Sequence, residues 1–273
     1  MNDLFTTKSV PHFTVVTTVF NGADTIEETI KSVICQSYNN IDYIIIDGNS
    51  TDSTLAIVKK YERHISFWSS EPDLGIYDGM NKGARKAKAD SILYFLNCDD
   101  KLHDENVIRG VAQEFISDPQ LQMVYGDVQI FDSDHNLSYK TSIKQTGGLI
   151  KRVASLNHQG IFVRKSVLEK NNYFDLQYTI AADTDFLYKV LTGDFKTKYI
   201  NRLIACFRTG GFGSNKSVSK NEVSEIINKN LGYPQYLFYR IRRNSIIAIS
   251  RLFSWLGIMR YYYKVKAYLR NKR

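Results

Sequence analysis

The sequence SILYFLNCDDK, residues Ser91–Lys101, joins an apolar run to a cluster of polar residues. The run Ile92–Leu96 is short and continuous, which is typical of a strand buried on both faces of a sheet. Asp99 and Asp100 follow directly after it. Open α/β sheets bind their ligands at the carboxyl ends of their strands. Two adjacent carboxylates there would repel each other, and a hard divalent cation would offset that repulsion.

A second explanation of these carboxylates remains open at this point. A helix is predicted at about 104–117. Acidic residues are favourable near a helix N-terminus because they complement its dipole. Asp99 and Asp100 could therefore serve only to start that helix.

The segments around this stretch alternate between two periodicities. Strands are predicted at 13–20, 42–47, 65–69 and 91–96, and helices between them at about 24–37, 53–62 and 75–89. After Asp100, strands are predicted at 123–131, 159–163 and within 196–207, and helices at 165–171, at 183–191 and beyond 218. Alternating strands and helices favour an α/β fold with a mostly parallel central sheet flanked by helices.

Length and charge divide the chain into two parts. Its 273 residues are enough for one large α/β domain, predicted at 1–217, and a helical extension at 218–273. Of the net charge of +8, residues 226–273 contribute eleven positive and no negative side chains, so the body is mildly acidic. The positive charge is therefore relevant to what the extension binds and not to the chemistry of the body. Polar residues at the N-terminus and three widely spaced cysteines lead us to expect a cytosolic protein without a zinc site.

Asp47 ends the second predicted strand, as Asp99 follows the fourth. A carboxylate in this position can accept hydrogen bonds from a nucleotide base or ribose. Alternatively, Asp47 only holds the turn at Gly48. Neither a GxGxxG nor a GxxxxGK[ST] sequence is present, so a bound nucleotide would not be held by a glycine-rich phosphate loop.

Three further segments combine polar residues with predicted helix or strand starts. Residues 71–83 suit a nucleotide-contacting loop, although Asp78 could simply face solvent. His158 precedes a strand and is either a hydrogen-bonded structural residue or a candidate base. Asp183 lies where a helix begins, which is a favourable position for aspartate in its own right.

In this order, the segments resemble the inverting glycosyltransferases of family 2, which have the GT-A fold. The matching blocks are TVVTTVFN (14–21), IIIDGNSTDST (44–54), EPDLGIYDGMNKG (71–83), LYFLNCDD (93–100), NHQGIFVRKS (157–166) and AADTDFLYKV (181–190). Together they span roughly residues 11–207.

The resemblance assigns roles to individual residues. It implies that Val19, through its backbone, and Asp47 hold the base of the nucleotide, and that Asp73 continues this pocket. Asp99, with Asp100 beside it, would bind Mn²⁺ or Mg²⁺ on the donor diphosphate. Asp183 would be the catalytic base.

Two positions depart from the family pattern. Asn97 replaces the first acid of the metal-binding motif, and Ala182 replaces the first acid of the pair near the acceptor. The Gln-x-x-Arg-Trp sequence of processive members is absent, which favours transfer of one sugar. We therefore expect a metal-dependent, inverting transferase that uses a UDP-sugar and serves surface polysaccharide or glycolipid assembly. Alternatives are a non-catalytic sugar- or membrane-binding scaffold and, less favoured, a sugar nucleotidyltransferase.

The extension from 233 to 273 combines aromatic residues with ten Lys or Arg residues and no acid. This composition is typical of a helix lying in a membrane interface. Arg251 and Arg260 interrupt the apolar run, so a membrane-spanning helix is not expected. We expect the protein to attach peripherally to the cytoplasmic face of an anionic membrane and to act on a saccharide or lipid-linked saccharide acceptor. We expect no binding to nucleic acid, and a homodimer is possible. Packing of the extension on the body or on a second subunit remains open.

Overall fold

Buried strands and amphipathic helices alternate through the first half of the chain. The computed structural model describes residues 10–132, 137–141, 153, 156–209 and 216–231, together with 237, 241 and 245. Its strands are β1 (Phe13–Val19), β2 (Ile41–Asp47), β3 (Phe67–Ser70), β4 (Ile92–Phe95), β5 (Lys101–Leu102), β6 (Met123–Asp132), β7 (Leu137–Thr141), β8 (Ile161–Arg164) and β9 (Thr197–Arg208). Its helices are α1 (Ile26–Ile34), α2 (Thr54–Lys60), α3 (Ile76–Lys86), α4 (Val107–Ser117), α5 (Lys165–Lys170), α6 (Ala182–Thr192) and α7 (Lys216–Leu231). Glu62–His64 and His158–Gly160 form 3₁₀ turns.

These strands form one sheet in the order β3-β2-β1-β4-β8-β6-β9-β5, and β7 pairs with β6. The pairs among β3, β2, β1 and β4 are all parallel. In the second half, β8 runs antiparallel to β4 and β6, whereas β6 and β9 are parallel. The parallel half therefore brings the carboxyl ends of four strands to one edge, as the sequence predicted.

The sheet separates two apolar cores. One core lies under α1, α2 and α4, and the other under α3, α5, α6 and α7. All residues of β1 and β4 are buried, as expected for strands covered on both faces. Gly83 allows α3 to approach β1 closely, because a Cβ atom at this position would overlap the side chain of Val16.

The structure differs from the predicted elements in three places. The two-residue strand β5 pairs with β9, and it is too short to produce a recognisable period in the sequence. The β6–β7 hairpin was also not predicted. The strand predicted at 159–163 begins only at Ile161, because Asn157 accepts a hydrogen bond from the Gln159 amide and forms a 3₁₀ turn.

Helix α7 crosses the predicted boundary between residues 217 and 218. Its residues Ile226 and Ile227 are buried, and Ile226 belongs to the same core as α3 and α6. The Tyr188 hydroxyl donates to the Asn230 carbonyl over 3.0 Å. Residues 216–231 therefore pack as part of the body, and a boundary at 217 divides one helix.

The predictions for the basic extension concern residues that lie almost entirely outside the described part of the chain, since only 237, 241 and 245 are described after 231. Within the described part of the chain, no helix is long and apolar enough to cross a membrane.

Candidate active site

Val19 and Asp47 lie side by side at the ends of β1 and β2. The Gly48 amide donates to the Val19 carbonyl over 2.8 Å. The Asp47 carboxylate is fully buried and accepts from the Ser50 amide at 2.9 Å, the Ser50 hydroxyl at 2.5 Å and the Ser70 hydroxyl at 2.6 Å. Asp47 therefore holds the turn after β2, and its contact with a base remains a prediction.

The loops after β1 and β2 are joined by side-chain hydrogen bonds. Asn21 and Asn49 have φ angles of 50° and 71°, which asparagine tolerates better than most residues. In this conformation, Asn21 accepts from the Thr51 amide at 2.9 Å, and its own amide donates to Ser50 at 2.7 Å. These bonds make the two loops one rim at the edge of the sheet.

Asp73 lies against this rim. One carboxylate oxygen accepts from the Gly75 amide at 2.9 Å. The other lies over Gly48, where a Cβ atom would come within 2.9 Å of it. The structure thus brings Asp73 next to the turn after Asp47, as the predicted nucleotide pocket requires, although the binding role itself remains a prediction.

Asp99 and Asp100 do not start the following helix, because β5 intervenes and α4 begins only at Val107. Instead, the Thr29 hydroxyl lies within hydrogen-bond distance of the Cys98 carbonyl (2.9 Å) and the Asp100 carbonyl (2.7 Å). These contacts fix the chain directly after β4. The helix-start explanation of the two carboxylates is therefore wrong.

Only one of the two oxygens of the Asp100 carboxylate accepts a hydrogen bond within the described residues. Asp100 is 2% exposed, and one oxygen accepts from the Arg208 amide at 2.9 Å. Its other oxygen and the side-chain oxygen of Asn97 are buried without a hydrogen-bond partner in the described residues. Burial raises the pKa of Asp99 and of Asp100, and the charge of Asp99 raises the pKa of Asp100 further.

These oxygens suit a hard cation, which prefers oxygen ligands and would offset the repulsion between the carboxylates. A pocket of about 240 Å³ opens beside Asp99 and Asp100 and is also lined by Glu28 and Arg208. Among the described residues, no group of three or more His, Cys, Asp or Glu side chains surrounds one point. Asp99 and Asp100 would therefore hold Mn²⁺ or Mg²⁺ together with donor phosphate and water oxygens.

Asp183 lies in the first turn of α6 and is held from three directions. One oxygen accepts from the Tyr77 hydroxyl at 3.0 Å and from the Thr184 amide at 2.7 Å. The other lies 3.2 Å from Nδ1 of His158. Burial alone would raise the pKa of Asp183, but His158 and Tyr77 outweigh that effect and lower it.

His158 contacts Asp183 and also influences Asp99. The side-chain nitrogen of Gln159 lies 3.1 Å from its Nε2 atom, so in the neutral imidazole Nε2 accepts and Nδ1 donates to Asp183. Burial raises the pKa of Asp99, and the positive charge of Arg208, together with that of His158 in its protonated form, offsets part of that rise. His158 thus contacts the predicted base directly and acts on the predicted metal ligand through its electrostatic field.

No neighbouring residue of α6 offers an equivalent carboxylate. Ala182, the residue before Asp183, has no carboxylate and is fully buried in the core. Asp185 is 1% exposed and forms an ion pair with Lys189 at 2.6 Å. Asp183, whose side chain is 19% exposed, is the accessible carboxylate of this helix.

Sequence reasoning did not identify Tyr77, Arg208 or Glu222, all of which contact this region. Tyr77 belongs to the block 71–83, but nothing in the pattern indicates that it would meet Asp183. Arg208 acts on Asp100 through its backbone amide, which carries no signal in the sequence.

Comparison with protein families and curated proteins gives a consistent result. The model of the family described as "Glycosyl transferase family 2" matches residues 14–185, more than half of the chain. An "Uncharacterized glycosyltransferase" of Mycobacterium tuberculosis is 29% identical over 77% of this chain and 80% of its own length. A "PGL/p-HBAD biosynthesis glycosyltransferase" of the same species is 27% identical over 78% of this chain and 82% of its own length.

Solved structures show the same fold at lower identity. Staphylococcus aureus TarS 1-349, in complex with UDP-GlcNAc, has a TM-score of 0.65 at 19% identity, covering 80% of this chain and 64% of TarS. The mannosyltransferase PcManGT of Pyrobaculum calidifontis, in complex with GDP-Man and Mn²⁺, has a TM-score of 0.59 at 12% identity. The match covers 96% of this chain and 87% of the mannosyltransferase chain.

Asp99→Asn should weaken Mn²⁺-dependent UDP binding by about tenfold or more, because the predicted metal site would lose the charge of one carboxylate. Isothermal titration calorimetry with and without Mn²⁺ measures this effect. Asp90→Asn is the matched control, since Asp90 is an exposed aspartate at the opposite end of β4. Equal affinities of the Asp99 variant and the unmodified protein would contradict the assignment.

Proposed function

The chain belongs to glycosyltransferase family 2, and we propose that it transfers one sugar from a UDP-sugar to an acceptor hydroxyl. The predicted family, the GT-A type of α/β fold and the enzyme class are thereby confirmed. The donor, the metal, the stereochemistry and the acceptor belong to the proposal. The observation that carries it is the accessible Asp183 carboxylate, which is held by His158, a residue that also acts electrostatically on Asp99.

The reaction is a single displacement at the anomeric carbon. Asp183 accepts the proton of the acceptor hydroxyl while that oxygen forms the new glycosidic bond. The bond between the anomeric carbon and the diphosphate oxygen breaks, and UDP leaves with the electron pair. Attack from the face opposite the leaving group inverts the anomeric configuration.

The residues of the site have separate roles in this scheme. His158 and Tyr77 orient Asp183 and keep it ionised, because both donate hydrogen bonds to the carboxylate form. Val19, Asp47 and Asp73 line the side where the base and ribose would lie. A divalent cation bound by Asp99 and Asp100 would neutralise charge that develops on the leaving diphosphate.

A donor panel tests the proposal directly. The full chain is incubated with UDP-sugars and GDP-mannose, with Mn²⁺, Mg²⁺ or EDTA, and release of nucleoside diphosphate is measured. We expect release from a UDP-sugar that depends on the metal. Release only from GDP-mannose would correct the nucleotide, and metal-independent release would remove the cation from the proposal.

Asp183→Asn should lower transfer by about 100-fold or more, the usual contribution of a positioned base, because the amide cannot accept the proton. UDP affinity should change little, since Asp183 contacts the acceptor side. Asp194→Asn, an exposed aspartate just beyond the other end of α6, is the control. Transfer near the unmodified rate in the Asp183 variant would move the base role to His158.

His158→Ala should move the acidic limb of the kcat–pH profile to higher pH. The profile reports the group that must be deprotonated in the enzyme–substrate complex. Burial raises the pKa of Asp183, and His158 is the main group that lowers it, so its removal raises that pKa. His64→Ala is the control because His64 is exposed on a distant turn. An unmoved limb would show that His158 does not tune Asp183.

We further propose that the acceptor is a saccharide or lipid-linked saccharide at the cytoplasmic face of a membrane. The basic and aromatic composition of residues 233–273 supports this proposal, as does the relative named for PGL/p-HBAD biosynthesis. The extension would hold the body beside such a substrate. It is equally available for contact with a second subunit, and the following test distinguishes the two.

The full chain should sediment with anionic liposomes in a salt-sensitive manner, because Lys and Arg residues near an anionic surface each contribute about 1 kcal/mol. A chain ending at Gly232 retains α7 and should remain in the supernatant. Equal sedimentation of both chains would exclude the extension as the anchor. A change from dimer to monomer on truncation, with no liposome binding by either chain, would assign the extension to a subunit interface.

A further inference from the structure

Glu222 of α7 receives four hydrogen bonds from one short turn. Its Oε1 atom accepts from the amide and the hydroxyl of Thr179, both at 2.8 Å. Its Oε2 atom accepts from the amides of Ile180 and Ala181, both at 2.9 Å. Three successive amides thus point at one carboxylate, in the manner of a backbone anion site. A side chain of the protein fills this site.

The turn 179–181 leads directly into the start of α6. The Ala181 carbonyl accepts the Asp185 amide at 3.1 Å, which begins the helix, and Asp183 lies in its first turn. The Tyr77 hydroxyl lies 2.8 Å from the Ile180 carbonyl and 3.0 Å from Asp183, so these two acceptors share its single proton. The position of the turn therefore sets both the helix that carries Asp183 and the hydroxyl that orients it.

Glu222 is well suited to hold this turn because its own helix is fixed. Ile226 and Ile227 bury the following turn of α7 in the core, and Asn230 is bonded to Tyr188 of α6. Burial raises the pKa of Glu222, but the donors of the turn outweigh this effect and lower it. Glu222 therefore remains a carboxylate at neutral pH, and its hold would be lost only as the pH falls through that lowered value.

We propose that Glu222 is a positioning residue for the proton acceptor Asp183, an inference that rests on the proposed role of Asp183. Its carboxylate accepts hydrogen bonds from the amides of residues 179–181 and so fixes the turn that precedes α6. Its function is not shared with Glu225, which lies one turn further along the same helix and is exposed.

A glutamine cannot reproduce this arrangement. Each carboxylate oxygen of Glu222 accepts two hydrogen bonds. If an NH₂ group replaced either oxygen, this hydrogen-bond donor would face the N–H and O–H donors of the turn. Glu222→Gln should therefore behave more like Glu222→Ala than like a conservative change. Glu222→Asp keeps both acceptor oxygens and should be intermediate.

The direction in which the kcat–pH profile shifts distinguishes a positioning role of Glu222 from an effect of its charge on Asp183. The groups facing Asp183 are His158 from the turn before β8, Tyr77 from α3 and, through the turn, Glu222 from α7; Asp185 on its own helix is paired with Lys189. If Glu222 acted on Asp183 only through its negative charge, its removal would lower the pKa of Asp183. If Glu222 acts by position, its removal weakens the contacts of Tyr77 and His158 with Asp183. The effect of burial then dominates and raises the pKa of Asp183.

The experiment compares Glu222→Ala, Glu222→Gln and Glu222→Asp with the control Glu225→Gln, all in the full chain. We expect kcat to fall about tenfold or more in the Ala and Gln variants, since small misplacements of a reacting group are costly. The donor KM should stay unchanged, and the acidic limb of kcat should move to higher pH. Hydrogen exchange should accelerate at the amides of residues 179–181. Glu225→Gln should match the unmodified protein in every measurement.

Hydrogen exchange also separates this inference from the proposed function. If the unmodified chain turned over no donor, the proposed function would fail, and Glu222 could not be a positioning residue for that reaction. Faster exchange in Glu222→Ala would then support only a structural clamp. Unchanged exchange, unchanged kcat or a limb that moves to lower pH would each overturn the positioning role in an active enzyme.

Discussion

Burial of negative charge at one edge of the sheet is the constraint on which this site depends. A buried carboxylate is unfavourable unless hydrogen bonds or opposite charges compensate it. Asp47 meets this requirement with three donors from Ser50 and Ser70. Asp183 meets it with His158, Tyr77 and the start of a helix. Asp100 meets it only in part, since one of its oxygens is buried without a partner in the described residues.

This difference in compensation assigns different chemistry to carboxylates that look alike in the sequence. The pKa of Asp183 is lowered, so it is ionised and ready to accept a proton at neutral pH. Burial raises the pKa values of Asp99 and Asp100, so a further positive partner would stabilise their ionised forms. Environments that separate pKa values in this way are typical of acid–base assignments in enzymes. The proposed cation beside Asp99 and the proposed base at Asp183 rest on the same electrostatic argument.

The sequence was informative where a function depends on the end of a strand. The apolar run before Asn97 and the strand before Asp47 placed these residues at one edge, because parallel strands end together. It was uninformative where side chains meet across the fold. Tyr77 and Asp183 are 106 residues apart, and periodicity within a segment does not show which faces will touch. Gly160, at the end of the 3₁₀ turn of His158, lies so close to Gly126 that a Cβ atom would come within 2.6 Å of the Gly126 carbonyl, an approach that only the folded sheet creates.

Helix α7 crosses the boundary that was predicted between body and extension. That boundary was set where a helical pattern with few breaks begins, near residue 218, and the pattern does not show what the helix packs against. Packing assigns α7 to the body, because Ile226 lies in the core and Glu222 holds the turn before the base. The same helix leads into the residues that we expect at the membrane. The turn before the proposed base and the extension are therefore joined in sequence through one helix, whose end near Asn230 is held by the Tyr188 hydroxyl.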